Sequence, residues 1–144
     1  MNERQGELIE TLQPKDTNGE GNIFGGIIMS IMDKTAAVAA WRYSKHRVVT
    51  ACAQQISFHT PINVGEVVYS RATIVHVGRS SMETEIQVEV ENVFQGTRRL
   101  AASGFFTMVA LDDDGRPVQV PPWKPETEEE KRKWEEVERR RKCA

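Results

Sequence analysis

This chain of 144 residues has little of what would commit it to a specialised class. It has only two cysteines, Cys52 and Cys143, far apart and at no metal-ligand spacing. That excludes a disulfide-dense scaffold and predicts two free thiols in a reducing compartment. His46 and His76 have no second ligand at metal spacing, so no metal site is expected. No apolar run approaches the ~20 residues of a membrane-crossing helix, and Met1 to Gln5 open no secretory leader. The chain therefore reads as cytoplasmic, with no membrane partner. Charge of one sign is also missing: 19 Lys and Arg against 21 Asp and Glu leave a net −2, no basis for holding nucleic acid. The spacing of Gly19, Gly21 and Gly25 is wrong for a dinucleotide fingerprint, no Gly-Lys-Ser/Thr closes a phosphate loop, and no serine sits in a nucleophile elbow. No internal repeat is visible. With 39% hydrophobic and 28% charged residues, what remains is a soluble globular chain with a core of ordinary size.

Glycine, in contrast, is concentrated. Asp16-Thr17-Asn18-Gly19-Glu20-Gly21-Asn22-Ile23-Phe24-Gly25-Gly26 runs directly into Ile27-Ile28-Met29-Ser30-Ile31-Met32 and Asp33. Such a loop turns sharply or lets the backbone approach a ligand, and a helix begins immediately after it. Helix N-termini present unpaired N–H groups and partial positive charge, so Gly25 and Gly26 leave room for an anion or a polarised carbonyl. Helix-end donors facing a carboxylate are the parts of a site that stabilises an oxyanion and activates water.

The helical pattern spans Gly25 to Ser44. Ile28, Ile31, Met32, Thr35 and Ala39 share one side; Ser30, Asp33, Lys34, Ala37 and Trp41 share the other. Ala36 to Ala40 is small and apolar nearly all round, as in a helix wrapped by other structure. A short strand precedes the loop within Gly6–Gln13, and four strands follow: Val48–His59, Glu66–Val77, Ser81–Phe94 and Thr97–Leu111. One helix with consecutive antiparallel strands predicts an α+β domain over residues 1–123. Residues 124–144 form a charged helical extension, with a Thr127–Glu130 capping box and the i,i+4 pairs Glu128–Arg132, Glu129–Lys133, Glu135–Arg139 and Glu136–Arg140. Trp134 and Val137 are its only apolar anchors, so its charge run reads as a solvated face.

Each candidate has a bland alternative. Asp33 is either an exposed helix carboxylate beside Lys34 or, on a helix otherwise destined for burial, a carboxylate with a task. Asn18 can be a turn former. His59, at a strand end, can be a general base or an exposed polar group. Gly78-Arg79-Ser80-Ser81 is a turn whose guanidinium and hydroxyls also suit a phosphate.

Together these residues resemble a known family. Asp-x-Asn-x-x-Gly-x-x-Phe-Gly-Gly-x-x-Met-x-x-x-Asp, filled by Asp16, Asn18, Gly21, Phe24, Gly25, Gly26, Met29 and Asp33, is similar to the signature of the hotdog-fold acyl-CoA thioesterases. The similarity continues through Val48-Val49-Thr50-Ala51, Ile56-Ser57-Phe58-His59, Pro61-Ile62-x-Val64-Gly65-Glu66, Gly78-Arg79-Ser80-Ser81 and Phe105-Phe106-Thr107-x-Val109-Ala110. It covers most of residues 7–123, and the tail from Pro125 to Lys131 resembles that of long-chain acyl-CoA hydrolases whose animal members carry two such domains in tandem. The resemblance implies a curved antiparallel sheet around the Gly25–Ser44 helix and a homodimer at minimum, which can extend to a hexamer as a trimer of dimers. It implies fatty acyl-CoA hydrolysis without a cofactor. Asp33 would activate water or attack directly, Asn18 would come from the other chain, and the Gly26 N–H would hold the oxyanion. Gly25, Gly78, Arg79, Ser80 and Ser81 would bind CoA. Two other readings are a non-catalytic acyl-CoA-binding regulator and a thioester dehydratase; the latter wants a histidine near the helix start, where this chain has none.

Overall fold

The computed structural model describes residues 1–19 and 21–140. β1 (Gln5–Thr11) leads through a 3-10 turn (Pro14–Asp16) and the glycine loop into α1 (Gly25–Ser44). β2 (Arg47–Phe58), β3 (Val67–Val77), β4 (Ser81–Asn92), β5 (Thr97–Leu111) and α2 (Glu128–Arg139) follow. The helix and the last strand have the limits the sequence predicts, while the other strands shift by one to a few residues. Cys143 and Lys142 lie outside the described residues.

All five strands form one antiparallel sheet in the order β1-β3-β4-β5-β2. α1 lies against one face and touches every strand. Its buried residues, Ile28, Ile31, Met32, Thr35, Ala36, Ala39, Ala40 and Tyr43 among them, recur at three- and four-residue steps and so form one stripe. Met82, Thr84, Ile86, Val88 and Val90, alternating along β4, meet that stripe from the sheet. The alanine run is covered as expected, with Ala36, Ala39 and Ala40 fully buried, but the covering stops just beyond it. Trp41 is half exposed, and so are Val49 and Phe58 on the neighbouring edge strand β2.

β2 is irregular. Its register with β5 shifts between Thr50 and Cys52 and again between Gln54 and Ser57, and Gln55 sits at φ 54°. Each shift inserts residues that the partner strand does not match, which bends and twists the edge. The expectation of two free thiols fails at Cys52, which is disulfide-bonded; sequence spacing carries no information on whether a thiol is oxidised in the fold.

α2 lies on the sheet face away from α1. Thr127 caps it through Glu130, as the sequence predicts. Its charges do more than face solvent. Lys133 reaches Glu85 (2.7 Å), Arg140 reaches Glu83 (3.3 Å), Glu138 meets His76 (2.9 Å), and Arg4 bonds Glu130 (2.8 Å). The Trp134 ring stacks 4.0 Å from that of His76 and 5.8 Å from that of Trp123. Of the expected helix pairs, Glu129–Lys133 and Glu135–Arg139 form, whereas Arg132 pairs with Glu136, and Arg140 leaves its helix for the sheet. Alternation along β4 explains this: Glu83 and Glu85 point outward wherever Met82 and Thr84 point inward.

Candidate active site

The glycine loop is built to place Asn18 beside the start of α1. Gly19 and Gly21, at φ 88° and 89°, make turns that residues with a side chain enter only with strain. The Asn18 amide donates to the Asn22 carbonyl (2.8 Å), and Phe24 N–H donates to Asp16 O (2.8 Å), closing the loop on itself. Asn18 then lines a cavity of about 290 Å³ with Gly25, Ile28, Phe58, His59 and Ile62. Phe24 is the N-cap of α1 and supplies no capping side chain. The Gly25 and Gly26 N–H groups therefore have no intrahelical acceptor and face the loop side. A Cβ on Gly26 would lie 2.7 Å from the Phe24 ring, so glycine keeps this helix start open.

Asp33 is about 10 Å further along the helix, at 1.5 Å per residue. It is half-buried, on the side of α1 that faces β2, where the Thr50 hydroxyl donates to its Oδ1 at 2.5 Å. That bond fixes the carboxylate and leaves Oδ2 for water or substrate. Thr50 belongs to the string that carries the family resemblance, but nothing local gives it a role; only the β2 register places it under Asp33.

Strand register separates the remaining candidates into two groups. Val49, Val109 and Ser81 lie side by side across β2, β5 and β4, so the Gly78–Ser81 turn sits at the Asp33 end of the sheet, two strand spacings of about 4.8 Å away. Arg79 is exposed there, and its carbonyl accepts from Val120 N–H (2.8 Å). The Asn18 cavity, by contrast, adjoins Phe58, paired with Ala102, at the other end of β2. One chain thus brings Asp33, Thr50 and the Arg79 turn together at one end, and Asn18, Gly25 and Gly26 at the other. His59 lines the cavity with Asn18, but its ring bonds Ser103 Oγ (2.9 Å). Among the described residues no cluster of three or more potential metal ligands occurs, and no helix is long and apolar enough to cross a membrane.

The thioesterase superfamily profile matches residues 20–93. An uncharacterized acyl-CoA thioester hydrolase of Bacillus subtilis is 40% identical over 129 residues, covering 88% of this chain and 75% of that protein. The cytosolic acyl coenzyme A thioester hydrolase of Rattus norvegicus is 37% identical over 134 residues; the match spans 92% of this chain but only 35% of the rat protein. Among solved structures, an apo-hexameric acyl-CoA thioesterase superposes with a TM-score of 0.88 at 36% identity, over 94% of this chain and 87% of the other. The acyl-CoA hydrolase of Staphylococcus aureus, solved with butyryl coenzyme A and coenzyme A, gives 0.84 at 34% identity over 94% and 83%. It has also been solved with alanine replacing one asparagine, one aspartate or one threonine. With its glycine loop, central helix and sheet order in place, the chain belongs to the hotdog-fold acyl-CoA thioester hydrolases of the thioesterase superfamily.

Proposed function

We propose that this protein hydrolyses fatty acyl-CoA to free acid and CoA at sites assembled between two copies of the chain. The observation that supports the reading is that the Asp33–Thr50 pair and the Asn18 cavity lie at opposite ends of one edge strand. When two identical edges pair antiparallel about a two-fold axis, the beginning of β2 in one protomer lies against the end of β2 in its partner. Asp33 and Thr50 of one chain then face Asn18 and Gly26 of the other. The half-exposed Val49, Phe58 and Trp41 supply apolar surface along that seam.

In such a site the thioester carbonyl points at the Gly26 N–H, which stabilises the oxyanion as the carbonyl carbon becomes tetrahedral. Asp33, held by Thr50, takes a proton from the attacking water or attacks the carbonyl itself; Asn18 orients the water or the thioester. Collapse of the intermediate expels the CoA thiolate, which leaves readily without a metal. Arg79, at the Asp33 end, forms charge-assisted hydrogen bonds to CoA phosphate. The alanine variants of the Staphylococcus aureus hydrolase support the assignment, because their asparagine, aspartate and threonine have the same sequence spacing as Asn18, Asp33 and Thr50. The hexameric relative supports a trimer of dimers, and the cytosolic relative supports action in the cytoplasm.

Mass spectrometry of palmitoyl-CoA incubated with the purified protein tests the activity. CoA plus palmitate supports it, unchanged acyl-CoA points to a binding protein, and an enoyl product points to a dehydratase. The shared site has its own test. Asn18→Ala and Asp33→Asn proteins, each left with only residual activity, should recover when mixed under conditions that exchange subunits, because a mixed dimer holds one intact site. Demonstrated exchange without recovery would place both groups in one chain.

A further inference from the structure

We infer that the Glu66–Arg99 ion pair is the positioning device for the half-site that carries Asn18. Glu66 follows β2 in the connection that crosses from the sheet edge to β3, far from Asp33 and the Arg79 turn. Its carboxylate is 7% exposed and bidentate with Arg99, Nη1 to Oε2 at 2.7 Å and Nη2 to Oε1 at 2.9 Å. The same Arg99 Nη2 donates to the Pro61 carbonyl (2.7 Å), and Asn63 N–H donates to Glu66 Oε1 (2.8 Å). One guanidinium anchored in β5 therefore fixes both ends of the Pro61–Glu66 connection.

That connection is the wall behind the glycine loop. Ile23 N–H donates to the Ile62 carbonyl (2.8 Å), and Asn22 bridges Asn63. Asn22 in turn accepts from the Asn18 amide (2.8 Å), and Pro61 and Ile62 line the same cavity as Asn18. A continuous series of hydrogen bonds thus runs from β5 to the Asn18 backbone, and Glu66 touches neither the cavity nor the helix start. The Arg99 hydrogen bond holds the Glu66 carboxyl below the usual carboxylate range, as expected for an acid kept ionised for its partner. A planar fork reaching three acceptors is work that lysine cannot duplicate.

The inference rests on the hydrolase reading, and its test separates the two. Loss of the clamp lets the Asn18 loop shift, and misplacement on the 1 Å scale slows chemistry more than it weakens binding. In the 144-residue chain, Glu66→Gln should lower kcat about 10-fold with KM changed less than about two-fold. The same substitution in an Asn18→Ala background should cost almost nothing further, because its effect acts through Asn18. Hydrogen exchange read by mass spectrometry should show faster exchange at Ile23 and Phe24, with the centre of β4 unchanged. Arg99→Lys, which keeps the charge, should show the same pattern more weakly, and it serves if Glu66→Gln does not fold. An equal loss of kcat with and without Asn18, or unchanged protection at Ile23, would overturn the inference. If the wild-type protein fails to hydrolyse acyl-CoA, the hydrolase reading falls and the exchange measurement alone decides the clamp.

Discussion

The two rims of this sheet are built on opposite principles. On the face covered by α2, charged and aromatic groups find partners within the chain: Lys133 with Glu85, Arg4 with Glu130, Trp134 between His76 and Trp123. Along β2 the same chain leaves a half-exposed Phe58 and Trp41, an irregular strand and a carboxylate held by a single hydroxyl. The first rim finds its partners within one protomer, whereas the second leaves apolar surface open to solvent. Charge density is therefore a poor guide to function here. The most charged segment is a strap, and the site proposed above lies where apolar surface and one carboxylate remain open.

The contrast is broken most severely at Asp33. Asp33→Asn should reduce acyl-CoA hydrolysis by at least ~10²-fold while leaving the thermal midpoint close to that of the wild type, because the amide keeps shape and volume. Near-normal turnover would remove Asp33 from the chemistry. On the other rim the effects should reverse. Trp134→Ala should lower stability by about 1–2 kcal/mol, as expected for a half-buried ring, with kcat of the folded protein unchanged. A fall in kcat at temperatures well below unfolding would show that the strap serves the site.

Smaller effects sharpen the same division. Arg79→Ala should raise KM for acyl-CoA several-fold and leave kcat near wild type, and it should matter little for a short thioester lacking the nucleotide phosphates. An equal loss on both substrates would make Arg79 structural. Acid should loosen the strap first. The N–H groups of Thr127 and Glu126, with Arg4 nearby, hold the Glu130 carboxyl below its ordinary value. Its contribution is thus complete above the unfolded value of about 4.3 and is lost as pH falls through the lower folded value. Tryptophan emission followed from about pH 6 to pH 3 should change before the circular dichroism of the sheet does, and Glu130→Gln should remove that early step. Simultaneous loss of both signals would contradict it.

Much of this was legible in the sequence because local rules sufficed. Gly25 and the αL-capped Lys45 bound a helix whose buried stripe follows three- and four-residue steps, and Thr127-x-x-Glu130 announces its own cap. What stayed hidden depends on register. Consecutive strands read as neighbours, yet β2 pairs with β5 and not with β3, so Thr50 meets Asp33 only after the sheet closes. The bulges of β2 leave no glycine to mark them, since Gln55 itself takes the positive φ. Arg140 has a good helical partner in Glu136 by spacing, but Glu83 on the sheet wins because it is buried and needs a cation. Pattern singles out Asn18, Gly26 and Asp33 as candidates; that Asp33 lies at one end of an edge and Asn18 and Gly26 at the other comes from pairing alone.

The broken course of β2 has a consequence for which neighbour it admits. A straight, exposed edge is a template for any other strand, and aggregation follows from that lack of discrimination. Two register shifts and a left-handed residue interrupt this edge, so a regular strand laid along it soon loses its hydrogen bonds. A strand with interruptions at matching positions can follow the whole length, and a second copy of the same chain brings one. In the proposed dimer the irregularity acts as a password, shutting out unrelated edges while a matching edge can still pair.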